Sequence, residues 1–199
     1  MTDTTNKLFS HTILLGSQSP RRSYLMKESG FDIEVKTIDV DESYPEEMED
    51  FEIAEYIALK KAAAYLEILG DYKLGLVADT IVSLEGEILE KPVDRDDAIR
   101  MLRSMSGKKH QVYTGVCIFD SEKKHHFTCK SDVYFLELSD REIEYYIDNF
   151  KPFDKAGSYG IQEWIGYTKI EKIEGSYSNI MGLPMETVYE SLFDFISNN

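Results

Sequence analysis

Residues 16–22 read GSQSPRR, which places two hydroxyls, Ser17 and Ser19, and two guanidinium groups, Arg21 and Arg22, where a short apolar run gives way to a helical pattern. Unpaired backbone N–H groups and the positive end of a helix dipole attract anions, and arginine adds a fork of charged donors. The chemistry this segment supports is phosphate binding. Taken alone, S-x-S-P-R-R fits a capped surface helix with solvated arginines better.

A second candidate is Asp79, which interrupts the apolar stretch GLVADTIV. A carboxylate inside such a strand is costly unless a metal, a basic partner or several hydrogen bonds compensate it, and functional clefts supply these. A strand-end aspartate bonding a neighbouring turn explains the segment equally well. Lys91, beyond the turn that follows, is placed to return toward the same end and contact phosphate. Glu42, Lys61 and Lys155 read as solvated charges on local grounds. Lys61 stands out because it lies near an apolar helix face between Ile57 and Ala64, where a snorkelling lysine is the ordinary explanation.

The stretch from Asp154 to Pro184 carries Gly157, Gly160, Gly175 and Gly182, which allow close backbone approach, and Gln162, whose amide both donates and accepts. It reads as one wall of a binding cleft or as a series of tight turns without a ligand. No G-x-x-x-x-G-K-[ST], G-x-S-x-G or H-E-x-x-H pattern occurs. His110, His125 and His126 lack ligand spacing and read as surface or packing residues.

Elements that position these groups follow from periodicity. A strand over 12–16 leads to a helix over 20–29, with Ser19 as N-cap, Pro20 at its first position and Gly30 past its end. Residues 31–40 read as a strand and 51–70 as an amphipathic helix. The buried strand from Leu74 continues through a hairpin at Glu85-Gly86, and Asp94 caps a helix reaching Met105. Residues 111–119 and 127–138 read as paired strands. Ser139 and Glu142 form a capping box for a helix ending near Asn149, a strand is expected over 165–173, and a last helix begins at Pro184. Strands and helices mixed in this order predict an α/β domain around a mixed sheet.

Composition sets the outer bounds. A chain of 199 residues with 42% hydrophobic and 30% charged residues buries one sizeable core, and no linker-like stretch divides it. The net charge of −15 repels nucleic-acid backbones and anionic lipid, while leaving room for a small anion in a locally basic cleft. No stretch approaches the ~20 apolar residues of a membrane span and no signal-like N-terminus is evident, so the expected location is the cytoplasm. Cys117 and Cys129, the two cysteines, read as free thiols flanking a hairpin turn.

Six segments in order, SQSPRR, VADT, LEKP, MSGKKHQVYT, DKAGSYGIQ and EGSYSNIMGLP, make the chain resemble the Maf family of nucleotide pyrophosphatases. The resemblance covers nearly everything from Ile13 to Tyr189. It implies one α/β domain over 1–199, a central mixed sheet flanked by helices with a cleft between two lobes as in inosine triphosphatase-like proteins, and a flexible extension over 1–11. It also implies hydrolysis of nucleoside triphosphates to monophosphate and pyrophosphate with Mg²⁺ or Mn²⁺. Residue by residue, Asp79 matches the catalytic base and, with Glu42, the metal site; Ser17, Arg22, Lys61 and Lys91 match positions that hold phosphates or support catalysis. Arg21, Thr80 and Gln162 match the branch acting on dTTP, UTP and modified pyrimidine nucleotides, as distinct from the branch acting on 7-methyl-GTP. A nucleotide-sensing protein linked to cell division is the alternative, and a homodimer is compatible with either. The chain departs from the pattern at Gly16, where alanine is usual, at Met105, and at Glu163-Trp164, where small residues are common; Trp164 either packs or stacks on a base.

Overall fold

The apolar runs at 13–16 and 74–84 lack the polar alternation of half-exposed strands, which marks strands covered on both faces. In the computed structural model, which describes residues 9–197, they are β1 (Ile13–Gly16) and β3 (Leu74–Leu84), buried along nearly their whole length. They pair in parallel, with Ile13 opposite Leu74 and Gly16 opposite Val77. β2 (Ile33–Lys36) pairs in parallel with the other side of β1. With β4 (Glu87–Ile88), β5 (Lys109–Phe119), β6 (Lys124–Phe135) and β7 (Ile170–Glu174) they form a seven-stranded sheet in the order β2-β1-β3-β5-β6-β7, β4 pairing with β3. The β3–β4 and β6–β7 pairs are antiparallel, so the sheet is mixed, as expected. The helices are α1 (Pro20–Glu28), α2 (Asp50–Leu66), α3 (Arg95–Met105), α4 (Asp140–Phe150), α5 (Trp164–Thr168), α6 (Tyr177–Met181) and α7 (Met185–Ser197).

The described chain divides into two compact units. The first, residues 9–79, 114–129 and 182–197, holds β1, β2, α1, α2, α7 and the adjoining parts of β3, β5 and β6. Successive strand residues point to opposite faces, and each face has its own core. Ile13, Leu15, Leu76 and Ile118 pack with Met26 of α1 and Leu192 of α7, whereas Leu14, Val77 and Phe119 pack with Ala58, Ala62 and Tyr65 of α2. The alanines of α2 let it lie very close to the sheet: a Cβ on Gly115 would stand 2.3 Å from the backbone of Ala54. That contact fixes the height of the helix that carries Lys61. Of the expected extension over 1–11, residues 1–8 lie outside the described residues, and Phe9 packs against Phe31 and Tyr189.

The second unit, residues 80–113 and 130–181, holds the rest of β3, β5 and β6 with β4, β7 and α3 to α6. Glu85 and Gly86 both have positive φ, 55° and 87°, which is the two-residue hairpin turn that suits twisted strands. Asp94 caps α3 by accepting from the Asp97 N–H at 2.9 Å. Glu142 of α4 reaches back to accept from the Ser139 N–H at 2.9 Å. The strand expected over 165–173 is shorter: Glu163 O accepts from Gly166 and Tyr167 N–H at 2.9 and 3.2 Å, winding 164–168 into α5 and leaving 170–174 as β7. Ser19 stands at the N-cap of α1, yet its side chain makes no cap bond there. The strand over 31–40 contracts to 33–36, and α2 ends at Leu66 before Gly70.

His110 sits wholly inside the second unit, its Nε2 2.7 Å from Tyr159 Oη and its ring edge-on to Phe135 and Tyr159. It packs and does not ligate. Burial pushes its pKa down to about 3, against a smaller opposing pull from Asp132. The unfolded chain takes up a proton near pH 6.5 that the folded one refuses. Stability is therefore full above about pH 6.5 and falls as the pH drops toward 3, by at most about 1.4 kcal/mol per pH unit from this group. Urea unfolding between pH 7 and 4 checks it: His110→Gln loses less stability on acidification than the native chain, and equal slopes contradict the assignment.

Candidate active site

Strand order reverses at β1, which has β2 on one side and β3 on the other. In open α/β sheets ligands bind beyond the carboxyl ends of strands at such a switch point. Ser17 follows β1 there, and Asp79 lies two residues beyond Val77, the partner of Gly16. Gly16 has no space for the usual alanine, because a Cβ would stand 2.7 Å from the Tyr65 ring. That ring is locked by its hydroxyl, which donates to Lys36 O at 2.9 Å and accepts from Ile38 N–H at 3.0 Å.

Asp79 is 9% exposed and is compensated by charge. Lys61 Nζ lies 2.7 Å from Asp79 Oδ1 and 2.7 Å from Glu42 Oε1, and the lysine side chain is 12% exposed. Lys61 is therefore not a snorkelling surface residue: its ammonium bridges two carboxylates. Its neighbour Lys60 donates to Asp41 Oδ2 and to Ser43 O, both at 2.8 Å. Asp41 in turn accepts from Ser43 N–H at 3.0 Å, and the Lys60 and Ser43 bonds hold its carboxyl well below the ordinary range. Two successive lysines on one helix thus fix two successive acids on the loop opposite.

Arg22 is buried, donating from Nε to Gly182 O at 2.7 Å and from Nη1 to Ala78 O at 2.8 Å. The second bond grips the backbone immediately before Asp79. Burial lowers the guanidinium pKa, the Asp79 charge opposes that, and smaller effects come from Arg21, which lowers it, and Glu42, which raises it. Ser17 is buried and its Oγ accepts from Ser19 N–H at 3.1 Å, while Arg21 is half-buried on the first turn of α1. Ser17, Arg22, Glu42, Lys61 and Asp79 all belong to the first unit, with Arg21.

Thr80, Lys91 and Gln162 belong to the second unit. Thr80 is half-buried on β3, and Lys91 is exposed in the turn after β4. Gly157 N–H donates to both Leu89 O and Glu90 O, at 3.0 and 3.1 Å, and ties that turn to the loop of Lys155. Lys155 was expected in solvent; it is 7% exposed, with its Nζ 2.7 Å from Asp154 and 3.1 Å from Glu163. Gln162 is half-buried, and its Oε1 is a buried acceptor with no hydrogen-bond partner. Trp164 packs, edge-on to Tyr145 at 5.2 Å and stacked on Tyr146 at 6.5 Å. The Lys60–Asp41 clamp and the Tyr146–Glu163 contact have no sequence signature: one reads as surface charge and the other as the apolar face of α4.

Among the described residues no group of three or more His, Cys, Asp or Glu side chains could hold a metal by itself. Asp79 and Glu42 offer two hard oxygen donors to one cation, Lys61. Mg²⁺ commonly takes one or two carboxylates and fills its shell with water and substrate phosphates. The pair fits a cation that arrives with a polyphosphate.

The model of the Maf-like protein family matches residues 12–195. A dTTP/UTP pyrophosphatase of Bacteroides thetaiotaomicron is 52% identical over 186 residues, covering 93% of this chain and 96% of that protein. A dTTP/UTP pyrophosphatase of Porphyromonas gingivalis is 48% identical over 199 residues, covering 98% and 99%. Likeness to solved structures is slighter: the Ham1 protein of Staphylococcus aureus aligns with a TM-score of 0.43 at 14% identity, covering 65% of this chain and 72% of that one.

Removing one partner of a buried ion pair leaves the other charge uncompensated, at a cost of about 3 kcal/mol. Lys61→Met is expected to lose about that much, and adding Asp79→Asn to it is expected to restore part of the loss. Urea unfolding at neutral pH measures both, and a Lys61→Met chain as stable as the native one contradicts the bridge.

Proposed function

The chain belongs to the Maf family, and we propose that it hydrolyses nucleoside triphosphates, chiefly dTTP and UTP with modified pyrimidine nucleotides, to the monophosphate and pyrophosphate. The observation that carries this reading is a buried carboxylate, Asp79, held by an ammonium in the middle of β3, two residues past the point where the neighbouring β1 ends at the switch point. The names borne by its relatives point to the same activity.

Asp79 takes a proton from a water molecule as that water attacks the α-phosphorus. A new P–O bond forms there, the bond to the bridging oxygen of the β-phosphate breaks, and pyrophosphate leaves with the electron pair. Phosphate oxygens compete with the two carboxylates for Lys61, so its ammonium passes from structural partner to stabiliser of developing charge. Ser17 and the start of α1 supply donors to phosphate, and Lys91 adds a cation. Arg22 already spends two donors on backbone carbonyls. Its part is to hold the Ala78–Asp79 backbone still and to place positive charge beside it. When bound, Mg²⁺ or Mn²⁺ neutralises charge on the triphosphate, with Asp79 and Glu42 as its protein ligands.

Base selection falls to Arg21, Thr80 and Gln162. Uracil and thymine share one edge, an N3–H flanked by carbonyls, and a carboxamide complements it with one acceptor and one donor. The cytoplasm is the proposed location of the reaction. Among the described residues no helix is long and apolar enough to cross a membrane.

Pyrophosphate release from dTTP, UTP, CTP and 7-methyl-GTP, each with Mg²⁺, with Mn²⁺ and with chelator, tests the reading. The native chain turns over dTTP and UTP fastest and stops when metal is removed. Asp79→Asn loses roughly 10²- to 10⁴-fold in kcat, the usual contribution of a general base, while keeping its circular dichroism spectrum. Near-native turnover by that variant contradicts the role of Asp79, and tight dTTP binding without turnover by the native chain favours a nucleotide sensor.

A further inference from the structure

Gln162 sits at the third position of a tight turn, Gly160 to Glu163, closed by Glu163 N–H donating to Gly160 O at 3.0 Å. The second position, Ile161, is 2% exposed and anchors the turn in the core of its unit. Both ends of the turn meet one phenol. Tyr146 Oη, from the wholly buried face of α4, accepts from Gly160 N–H at 2.9 Å and donates to Glu163 Oε2. The other oxygen of that carboxylate lies 3.1 Å from the buried Lys155 Nζ. Burial, with the adjoining Glu163 hydrogen bond, raises the Tyr146 pKa, so the phenol keeps its proton and remains a donor.

These contacts fasten both ends of the turn. Burying Lys155 with Glu163 gains little over well-packed apolar side chains of the same volume. What the network does fix is direction: with Gly160, Ile161 and Glu163 each held, the Gln162 side chain leaves the turn from a set position. Its Oε1 stays buried and without a hydrogen-bond partner, an arrangement costly unless a ligand supplies the donor. We propose that Tyr146 and Glu163 are positioning residues that set the Gln162 carboxamide for the N3–H edge of uracil and thymine, and so govern selection of dTTP and UTP over CTP. The inference rests on the reading of Gln162 as a base-selecting residue.

CTP carries the same triphosphate on a base whose N3 accepts and whose C4 substituent donates, so it reports on the edge alone. The measurement is kcat/KM for dTTP, UTP and CTP with Gln162→Ala, Tyr146→Phe, Glu163→Ala and Glu163→Gln, beside the Tm of each. Tyr146→Phe keeps the ring and its stacking on Trp164 while removing both bonds. The expected result is a loss of dTTP-over-CTP and UTP-over-CTP preference of roughly 3- to 10-fold, the scale of one or two hydrogen bonds. It appears as a raised KM for dTTP and UTP with kcat nearly unchanged. Glu163→Ala behaves likewise, and Glu163→Gln, which still accepts from Tyr146, restores most of the preference. A purely structural role lowers Tm and leaves the ratio alone, and that outcome in Tyr146→Phe and Glu163→Ala, with Gln162→Ala losing the preference, overturns the positioning role. Unchanged preference in Gln162→Ala overturns the reading of Gln162 and the inference with it.

Discussion

The first unit is organised around one ammonium group. Lys61 Nζ touches Asp79 and Glu42 at 2.7 Å each, and without it a carboxylate in the middle of β3 would stand almost dry and uncompensated. Everything nearby serves to keep that nitrogen in place. Gly115 admits α2 onto the sheet at backbone contact, the alanines of α2 keep it there, and Lys60 pins the loop that presents Glu42. Arg22 holds the carbonyl just before Asp79. On the proposed function, a pair of carboxylates already gathered around one cation needs little reorganisation to gather around a metal-bound triphosphate, which is the condition for electrostatic stabilisation.

This arrangement also accounts for the overall charge. A chain with a net charge of −15 has no long-range attraction for an anionic substrate, and it must reverse the field locally. Arg21 and Arg22, in the first turn of α1, and Lys61, toward the far end of α2, are the cations placed to do so. In the second unit Lys155 is held by Asp154 and Glu163, and Lys91 is exposed. Positive charge is therefore used in two ways, to hold backbone, as Arg22 does, and to neutralise carboxylates, as Lys61 and Lys155 do.

Much of the fold was legible from residues alone, because the signals were local. The continuous apolar runs of β1 and β3, the Glu85-Gly86 turn and the Asp94 cap each carry their own cause. The strand expected over 165–173 is shorter than the β-branched residues Ile165, Thr168, Ile170 and Ile173 suggest, because the Glu163 carbonyl recruits two following N–H groups into a helical turn. At the site, Asp79 was conspicuous as a charge among apolar neighbours. Lys61 was ambiguous, since a lysine near an apolar face looks the same whether its head reaches water or a carboxylate eighteen positions away. Lys155 and Tyr146 were hidden for the same reason: their partners are set by tertiary contact, and no spacing in the chain records it.

The central claim is that water attacks the α-phosphorus of a nucleoside triphosphate. Hydrolysis of dTTP in ¹⁸O-enriched water, followed by mass spectrometry of the products, tests it most directly. The account predicts one heavy oxygen in the monophosphate, none in pyrophosphate, and no orthophosphate. Label in pyrophosphate, or stepwise release of orthophosphate, would contradict it.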